Sequence, residues 1–542
     1  MEVEGHGGQL IAAVMRAWDA RFLFTLSGGH LFPIYDGCVK AGDIRIVDTR
    51  HEQTAAFAAE GYAKLTRKPG FAALTAGPGV TNGVSAITTA WFNGSPLVVL
   101  GGRAPQARWG QGSLQEFDHV PVVEPICKYA ATASSTSEIG KLLDDAVRSA
   151  MTAHRGPAFV DFPLDVLFGR AKADLSGIGA AEALDYEARE TSGEPSEVAA
   201  VIDEALRPVL VVGSDVYWDG AWEELRELVD RLGIPTFTNG MGRGCIAADH
   251  PLCFSRARSF ALKNADLIVV AGTPLDFRLS FGRFANARVV HLCDHPRNIA
   301  THVELRASAA GPFAILFKQI QEAAKSRVAE EWVSALQQEE EARRAKDVEH
   351  LQSDARPIKA GRIYGELLAR LQRDAIVICD GGDFVSFAGR YVDVYEPGCW
   401  MDPGPYGCLG TGPGYALAAK LLYPERQVVI LYGDGAFGFS GMDWDTLARF
   451  DLPVVGVVGN NGIWGLEKHP MRALYGYAVA ADLQPQCRYD LAVKALGCEG
   501  ELVTEPDEIG PALDRAFESG KPYLVNIATD PEEVYPRSSN LA

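Results

Sequence analysis

The chain has 542 residues, 47 % of them hydrophobic and 22 % charged, a balance that suits a soluble globular protein with about three cores rather than one. A net charge of −19 argues against nucleic acid or an anionic membrane surface as a partner, and no apolar run approaches the ~18 residues of a membrane span. Ten cysteines occur without a CxxC pair, and the amino terminus lacks a basic segment followed by an apolar core, so free thiols and a cytoplasmic location are expected.

Short Val/Ile/Leu/Phe runs alternate with amphipathic stretches three times along the chain, the pattern of βα units with parallel sheets. The fold class expected is therefore α/β, with three consecutive doubly wound parallel-sheet domains. In the first block, residues 1–170, strands are predicted at 21–26, 44–47, 71–75, 96–100 and 158–161. His30 follows the first of these, in Ser27-Gly28-Gly29-His30. Glu52 follows the second and opens a helix, a position that the helix macrodipole alone would favour for an acid. Gly77-Pro78-Gly79-Val80-Thr81-Asn82 follows the third, and Gln115-Glu116 lies in a later loop.

Residues 171–196, rich in Ala, Gly, Ser and acids, are expected to be a linker. The middle block, 197–329, has predicted strands at 208–213, 265–272 and 288–292 and carries Arg256, Arg258 and Arg278, each of which also fits a surface ion pair. Residues 330–356 are charged and helix-prone and read as a solvated connector. The third block, 357–530, has predicted strands at 375–379, 427–432, 452–458 and 523–527, and residues 531–542 form a tail.

The third block holds the most specific signal. Gly433-Asp434-Gly435 ends one predicted strand, and Asn460-Asn461 ends the next, with Asn461 twenty-seven positions after Asp434. Open α/β sheets bind ligands at such carboxyl ends. Asp434 offers a carboxylate, Asn461 an amide oxygen and Ile463 a backbone carbonyl, a hard-oxygen set suited to Mg²⁺ with a diphosphate completing its shell. The flanking glycines let backbone amides approach phosphate oxygens.

On these motifs the chain resembles thiamine diphosphate (ThDP) enzymes of the acetolactate synthase superfamily, and the segments from Gly433 to Met442 and from Asn460 to Trp464 look most like the 2-hydroxyacyl-CoA lyase and oxalyl-CoA decarboxylase branch. The resemblance implies that residues 1–170 bind the aminopyrimidine, 197–329 contribute to CoA binding with ADP as a second ligand, 357–530 bind the diphosphate, and 531–542 form a lid. It implies cofactor contacts from Gly77, Asn82, Cys408, Leu409, Gly410, Gly433, Asp434, Gly435, Ala436, Phe437, Asn461, Ile463 and Trp464, with Leu409 as the wedge between the two cofactor rings. Glu52, in a segment that looks like the family's RHEQ, is the implied acid that protonates the pyrimidine.

Gln115 and Glu116 match the lyases' Gln-Glu pair, with Gln115 facing the substrate where oxalyl-CoA decarboxylases tend to have Tyr. His30 is a candidate for the substrate hydroxyl, with a structural histidine as the alternative, and Arg537-Ser538 fit the lid. Asp380-Gly381-Gly382-Asp383 departs from the Asn-Thr pair usual near the diphosphate, and 396–402 lacks the basic residues of CoA-using relatives, which leaves that task to other groups, for instance Arg256, Arg258 or Arg278.

The implied activity is reversible cleavage of a 2-hydroxyacyl-CoA to formyl-CoA and an aldehyde or ketone, with a short branched substrate such as 2-hydroxyisobutyryl-CoA fitting. Oxalyl-CoA decarboxylation and acetolactate-synthase-like carboligation are the alternatives. The implied partners are an acyl-CoA substrate and further copies of the chain, a homodimer at least and a tetramer by family habit.

Overall fold

The computed structural model describes residues 2–179 and 189–535. Its strands, numbered in chain order, are β1 (Glu2–His6), β2 (Phe22–Thr25), β3 (Arg45–Asp48), β4 (Gly70–Leu74), β5 (Leu97–Arg103), β6 (Tyr129–Thr132), β7 (Ala158–Pro163) and β8 (Arg170–Asp174), then β9 (Pro208–Val212), β10 (Thr236–Thr238), β11 (Leu267–Ala271), β12 (Arg288–Cys293) and β13 (Ala307–Ala310). The last group is β14 (Ile376–Asp380), β15 (Trp400–Met401), β16 (Val428–Gly433), β17 (Val455–Asn460), β18 (Glu499–Val503) and β19 (Tyr523–Ala528).

These strands build three parallel sheets, in the orders β3-β2-β4-β5-β7-β6, β10-β9-β11-β12-β13 and β15-β14-β16-β17-β19-β18. The central strands are buried throughout, so they read as continuous Val/Ile/Leu runs and not as alternations. In each sheet the first strand and the third lie side by side while their connections leave on opposite sides. That arrangement opens a crevice beyond the strands' carboxyl ends, between β2 and β4, between β9 and β11, and between β14 and β16. The α/β expectation holds, with three sheets of the doubly wound kind.

Two expected segments differ from their reading. The start of the presumed linker is β8, paired antiparallel with β1. Neither strand has an apolar run to announce it, and their partnership spans more than 160 residues of sequence. The presumed solvated connector is the helix Glu330–Leu351, which buries Trp332 and Leu336 together with two acids. Glu340 accepts the backbone N–H groups of Ser255 (3.1 Å) and Ala257 (2.8 Å), and Asp347 pairs with Arg256 and Arg390. It is a strut between the second and third sheets, with Glu340 and Asp347 turned inward and most of its other charges exposed.

The first and third sheets meet through the helices Glu52–Thr66 and Gly412–Leu422. They approach so closely that a Cβ on Gly414 would lie 2.6 Å from the Phe57 Cβ. Glycine is required there by backbone proximity. No helix among the described residues is long and apolar enough to cross a membrane, and all ten cysteines are free.

Candidate active site

The third sheet brings the two motifs together as neighbours. β16 and β17 pair in parallel with Gly433 opposite Gly459, so Asp434 and Asn461 leave adjacent strand ends. Asp434 begins the helix Asp434–Ser440 and is 3 % exposed. Its Oδ1 accepts the Gly435 N–H (2.9 Å) and its Oδ2 the Gly462 N–H (2.7 Å), which ties the first motif to the second. Burial pushes its carboxyl up to about 6, against the pull of those amides. Asn461 Oδ1 accepts the Ile463 N–H (3.1 Å), and Ile463 is buried.

The floor of this crevice is bare backbone. A Cβ on Gly433 would stand 3.6 Å from the Gly381 carbonyl oxygen, and one on Gly381, whose φ is +69°, would stand 2.0 Å from Leu409 Cδ2 and 3.2 Å from the Ala436 Cβ. Leu409 therefore lies directly over Gly381, next to Cys408 and Gly410. On the other wall, the Trp464 ring covers Gly435, where a Cβ would come within 2.5 Å. Phe437 turns away into the core against Tyr432 and Tyr489, with ring centroids 5.8 and 4.9 Å away, which leaves its backbone to face the crevice.

Asp380 was read from sequence only as a departure, and the structure gives it work. It is fully buried at the end of β14, where Oδ1 accepts the Gly410 N–H (2.9 Å) and Oδ2 the Gly412 N–H (2.8 Å). Burial still pushes its carboxyl up to about 7. It fixes the turn that carries Leu409. An acid followed by two glycines at a strand end was the available signal.

The first sheet's crevice is lined by polar side chains held by hydrogen bonds. Glu52 opens its helix, 8 % exposed, and Oε2 accepts from Asn82 Nδ2 at 3.0 Å. The helix start is capped by His51, which accepts the Gln53 N–H (3.1 Å). Gln53 Nε2 in turn donates to the Leu409 carbonyl at 3.1 Å, so the Glu52 helix and the Leu409 turn are hydrogen-bonded across two sheets.

His30 is buried beside Thr75, with Nδ1 and the hydroxyl 3.5 Å apart. Burial holds its imidazole below the usual range, so it is neutral at physiological pH. Gly77 has φ +61°, and a Cβ there would lie 3.1 Å from that of Gln115, which places Gln115 on the Gly77 turn. Glu116 is turned inward to its own loop, accepting from the Gly110 N–H (2.9 Å) and the Ser113 N–H (3.2 Å). Sequence reasoning overlooked His119, which donates to Asp161 and accepts from Gly77.

The three arginines of the middle block are engaged. Arg256 pairs with Asp347 (3.3 Å) and Asp393 (3.0 Å), and Arg278 with Asp276 (2.7 Å). Arg258 instead donates to the Asn239 amide oxygen, and burial lowers its guanidinium to about 10. Arg537 and Ser538 lie outside the described residues.

Hard oxygens from Asp434, Asn461 and Ile463, beside a glycine floor where a Cβ on Gly381 or Gly435 would clash, fit a divalent cation and a diphosphate. Comparison with known proteins agrees over most of the length. Residues 5–122 match the N-terminal TPP binding domain of thiamine pyrophosphate enzymes, 196–320 their central domain and 380–527 their C-terminal TPP binding domain. The chain belongs to the thiamine pyrophosphate enzymes.

Within that family the chain is 53 % identical to a protein of Mycobacterium tuberculosis named acetolactate synthase large subunit IlvG, over 99 % of this chain and 98 % of that one. It is 36 % identical to 2-hydroxyacyl-CoA lyase 2 of Caenorhabditis elegans, over 94 % of this chain and 87 % of that one, and 34 % identical to the human protein of that name, over 96 % and 90 %. This ThDP enzyme thus lies among relatives of two named activities. The comparisons add no support for ADP in the middle domain.

Proposed function

We propose that this ThDP enzyme is a Mg²⁺-dependent carbon–carbon lyase that cleaves a 2-hydroxyacyl-CoA to formyl-CoA and an aldehyde or ketone, reversibly. One observation carries the choice of a CoA substrate: a cavity of about 650 Å³ lined by Arg243, Arg258, Arg343, Lys346 and Arg390 together with Tyr535. Arg243 and Arg258 donate to neutral oxygens, the Gly389 carbonyl (2.8 Å) and the Asn239 amide. In a chain of net charge −19, such a concentration of guanidinium suits a phosphate-rich arm.

Bound ThDP supplies a carbon nucleophile that also stores the electron pair of the broken bond. In this reading Asp434, Asn461 and the Ile463 carbonyl hold the metal, and the glycine floor admits the diphosphate. Leu409, on the turn fixed by Asp380, would pack against the cofactor as its apolar wedge. Glu52, oriented by Asn82, holds the proton shared with the aminopyrimidine. Neutral His30 and Gln115 face the substrate hydroxyl and thioester. The first sheet's domain binds the pyrimidine, the third the diphosphate and the middle one the CoA arm. A second copy of the chain completes the site, and the enzyme works in the cytoplasm.

A second reading, carboligation of 2-oxo acids, is favoured by the relatives at 53 % identity that carry an acetolactate synthase name. The deciding experiment incubates the protein, ThDP and Mg²⁺ with a panel of 2-hydroxyacyl-CoAs, oxalyl-CoA and pyruvate. Formyl-CoA with an aldehyde or ketone is the expected product. Acetolactate alone would overturn the lyase reading, and formyl-CoA from oxalyl-CoA alone would replace it with decarboxylation.

A further inference from the structure

The segment from Arg103 to His119 carries Gln115 yet has almost no core of its own. Trp109, Leu114 and Phe117 are 39, 79 and 41 % exposed. Both of its roots converge on one atom. Asp161 Oδ2, in β7, accepts from Arg103 Nη1 at 2.8 Å and from His119 Nδ1 at 2.9 Å, and Asp161 and His119 are fully buried. On its other side His119 Nε2 accepts the Gly77 N–H at 2.9 Å.

An amide N–H only donates, so Nε2 carries no proton and the imidazole is the neutral Nδ1–H form, fixed by Asp161. Gly77 and Gln115 are themselves in contact, since a Cβ on the glycine would lie 3.1 Å from the Gln115 Cβ. Arg103 also lies over Trp109, 4.0 Å from its ring centre, and pairs with Asp118 at 3.0 Å. Asp161 Oδ1 is buried without a hydrogen-bond partner among the described residues, a cost the fold retains here.

We propose that Asp161 and His119 are positioning residues, a buried clasp that sets the Gly77 backbone for the cofactor and, through the loop roots, sets Gln115 for the substrate. The assignment rests on the reading of this crevice as the pyrimidine and substrate site. The clasp has two separable arms. His119 governs Gly77, and Arg103 governs the first root of the loop.

The test compares three variants. His119→Phe keeps the ring volume and leaves the Gly77 N–H unpaired, so ThDP affinity should fall about tenfold and KM for the acyl substrate should rise. His119→Gln can present an amide oxygen to Gly77 and should recover most of the cofactor affinity. Arg103→Met should raise KM and quicken hydrogen exchange over residues 104–118 while leaving ThDP affinity unchanged.

Wild-type cofactor affinity in a folded His119→Phe protein would overturn the proposal. So would losses in all three variants that simply track thermal stability. Should His119→Phe not fold, unchanged KM and hydrogen exchange in Arg103→Met overturn it. Cofactor affinity and hydrogen exchange are read without substrate. Failure to cleave 2-hydroxyacyl-CoAs would therefore count against the lyase reading and leave the clasp standing.

Discussion

The first and third sheets have the same strand order, yet their crevices are chemically opposite. Between β14 and β16 the crevice is made of glycine backbone and hard oxygens, from Gly381, Gly433, Asp434 and Asn461. Between β2 and β4 it is made of polar side chains, His30 and Glu52 with Asn82 and Gln115 beside them. The shared topology supplies a concave place at the carboxyl ends of the strands, and the residues in the first turn after each strand decide its use. In the proposed reading the crevice of amides and a buried acid grips the charged part of the ligand, and the crevice of tethered side chains acts on the rest of it.

The largest expected effect comes from Asp434→Ala, which removes the one charged side chain proposed for the metal. Mg²⁺-dependent ThDP affinity should weaken by ~10²-fold or more, measured by calorimetry. Unchanged affinity would place the diphosphate elsewhere. The fold should survive, because burial already disfavours the ionised form of that carboxyl.

The complementary change in the other crevice, Glu52→Gln, should leave ThDP binding near wild type and slow turnover by ~10²–10⁴. Stopped-flow single-turnover rates separate the two effects. A variant that turned over normally would remove Glu52 from the chemistry, and one that lost ThDP would make both crevices binding devices.

Paired glycine substitutions sharpen the contrast. Gly381→Ala meets Leu409 at 2.0 Å with φ at +69°, and should cost about 2–4 kcal/mol of stability from overpacking and backbone strain together. Gly77→Ala, at φ +61° but with its nearest contact at 3.1 Å, should cost about 1–2 kcal/mol. Urea unfolding of both variants checks the order, and equal costs would mean that the third sheet's floor is less tightly packed than its geometry requires.

A further contrast concerns pH. Asp380 is raised from an ordinary carboxyl value near 3.8 to about 7 in the folded protein, so between those values the folded chain holds a proton that the unfolded chain has released. Its contribution to stability therefore declines as pH rises from about 4 to about 7, by up to ~1.4 kcal/mol per unit. Asp380→Asn should flatten that part of the urea midpoint against pH. An unchanged slope would assign the dependence to other groups.

Much of this was legible in the sequence, for a physical reason. Central strands of parallel sheets are buried on both faces, so 208–213, 265–272 and 427–432 appear as unbroken apolar runs. Short or half-buried strands give no such trace, and β6, β10, β13, β15 and β18 went unread. The candidate metal ligands were readable because their donors sit within a few residues of two strand ends. The clasp was not, because Arg103, His119 and Asp161 are separated along the chain and each looks like an ordinary charged or polar residue.

The sequence by itself determined the three α/β units, the oxygen donors of Asp434 and Asn461, the position of Glu52 at a helix start and the membership in a thiamine-dependent family. All of these depend on local patterns, on burial period, turn glycines and motif spacing, that a linear chain displays. Only the tertiary structure decided that β8 pairs with β1, that the helix Glu330–Leu351 turns Glu340 and Asp347 inward, that Asp380 holds the Leu409 turn and that one oxygen of Asp161 gathers both roots of the Gln115 loop. Each is a contact between segments far apart in sequence. Such a contact leaves no period to read, because it exists only once hydrophobic burial has brought the sheets together and buried polar groups must find partners within reach.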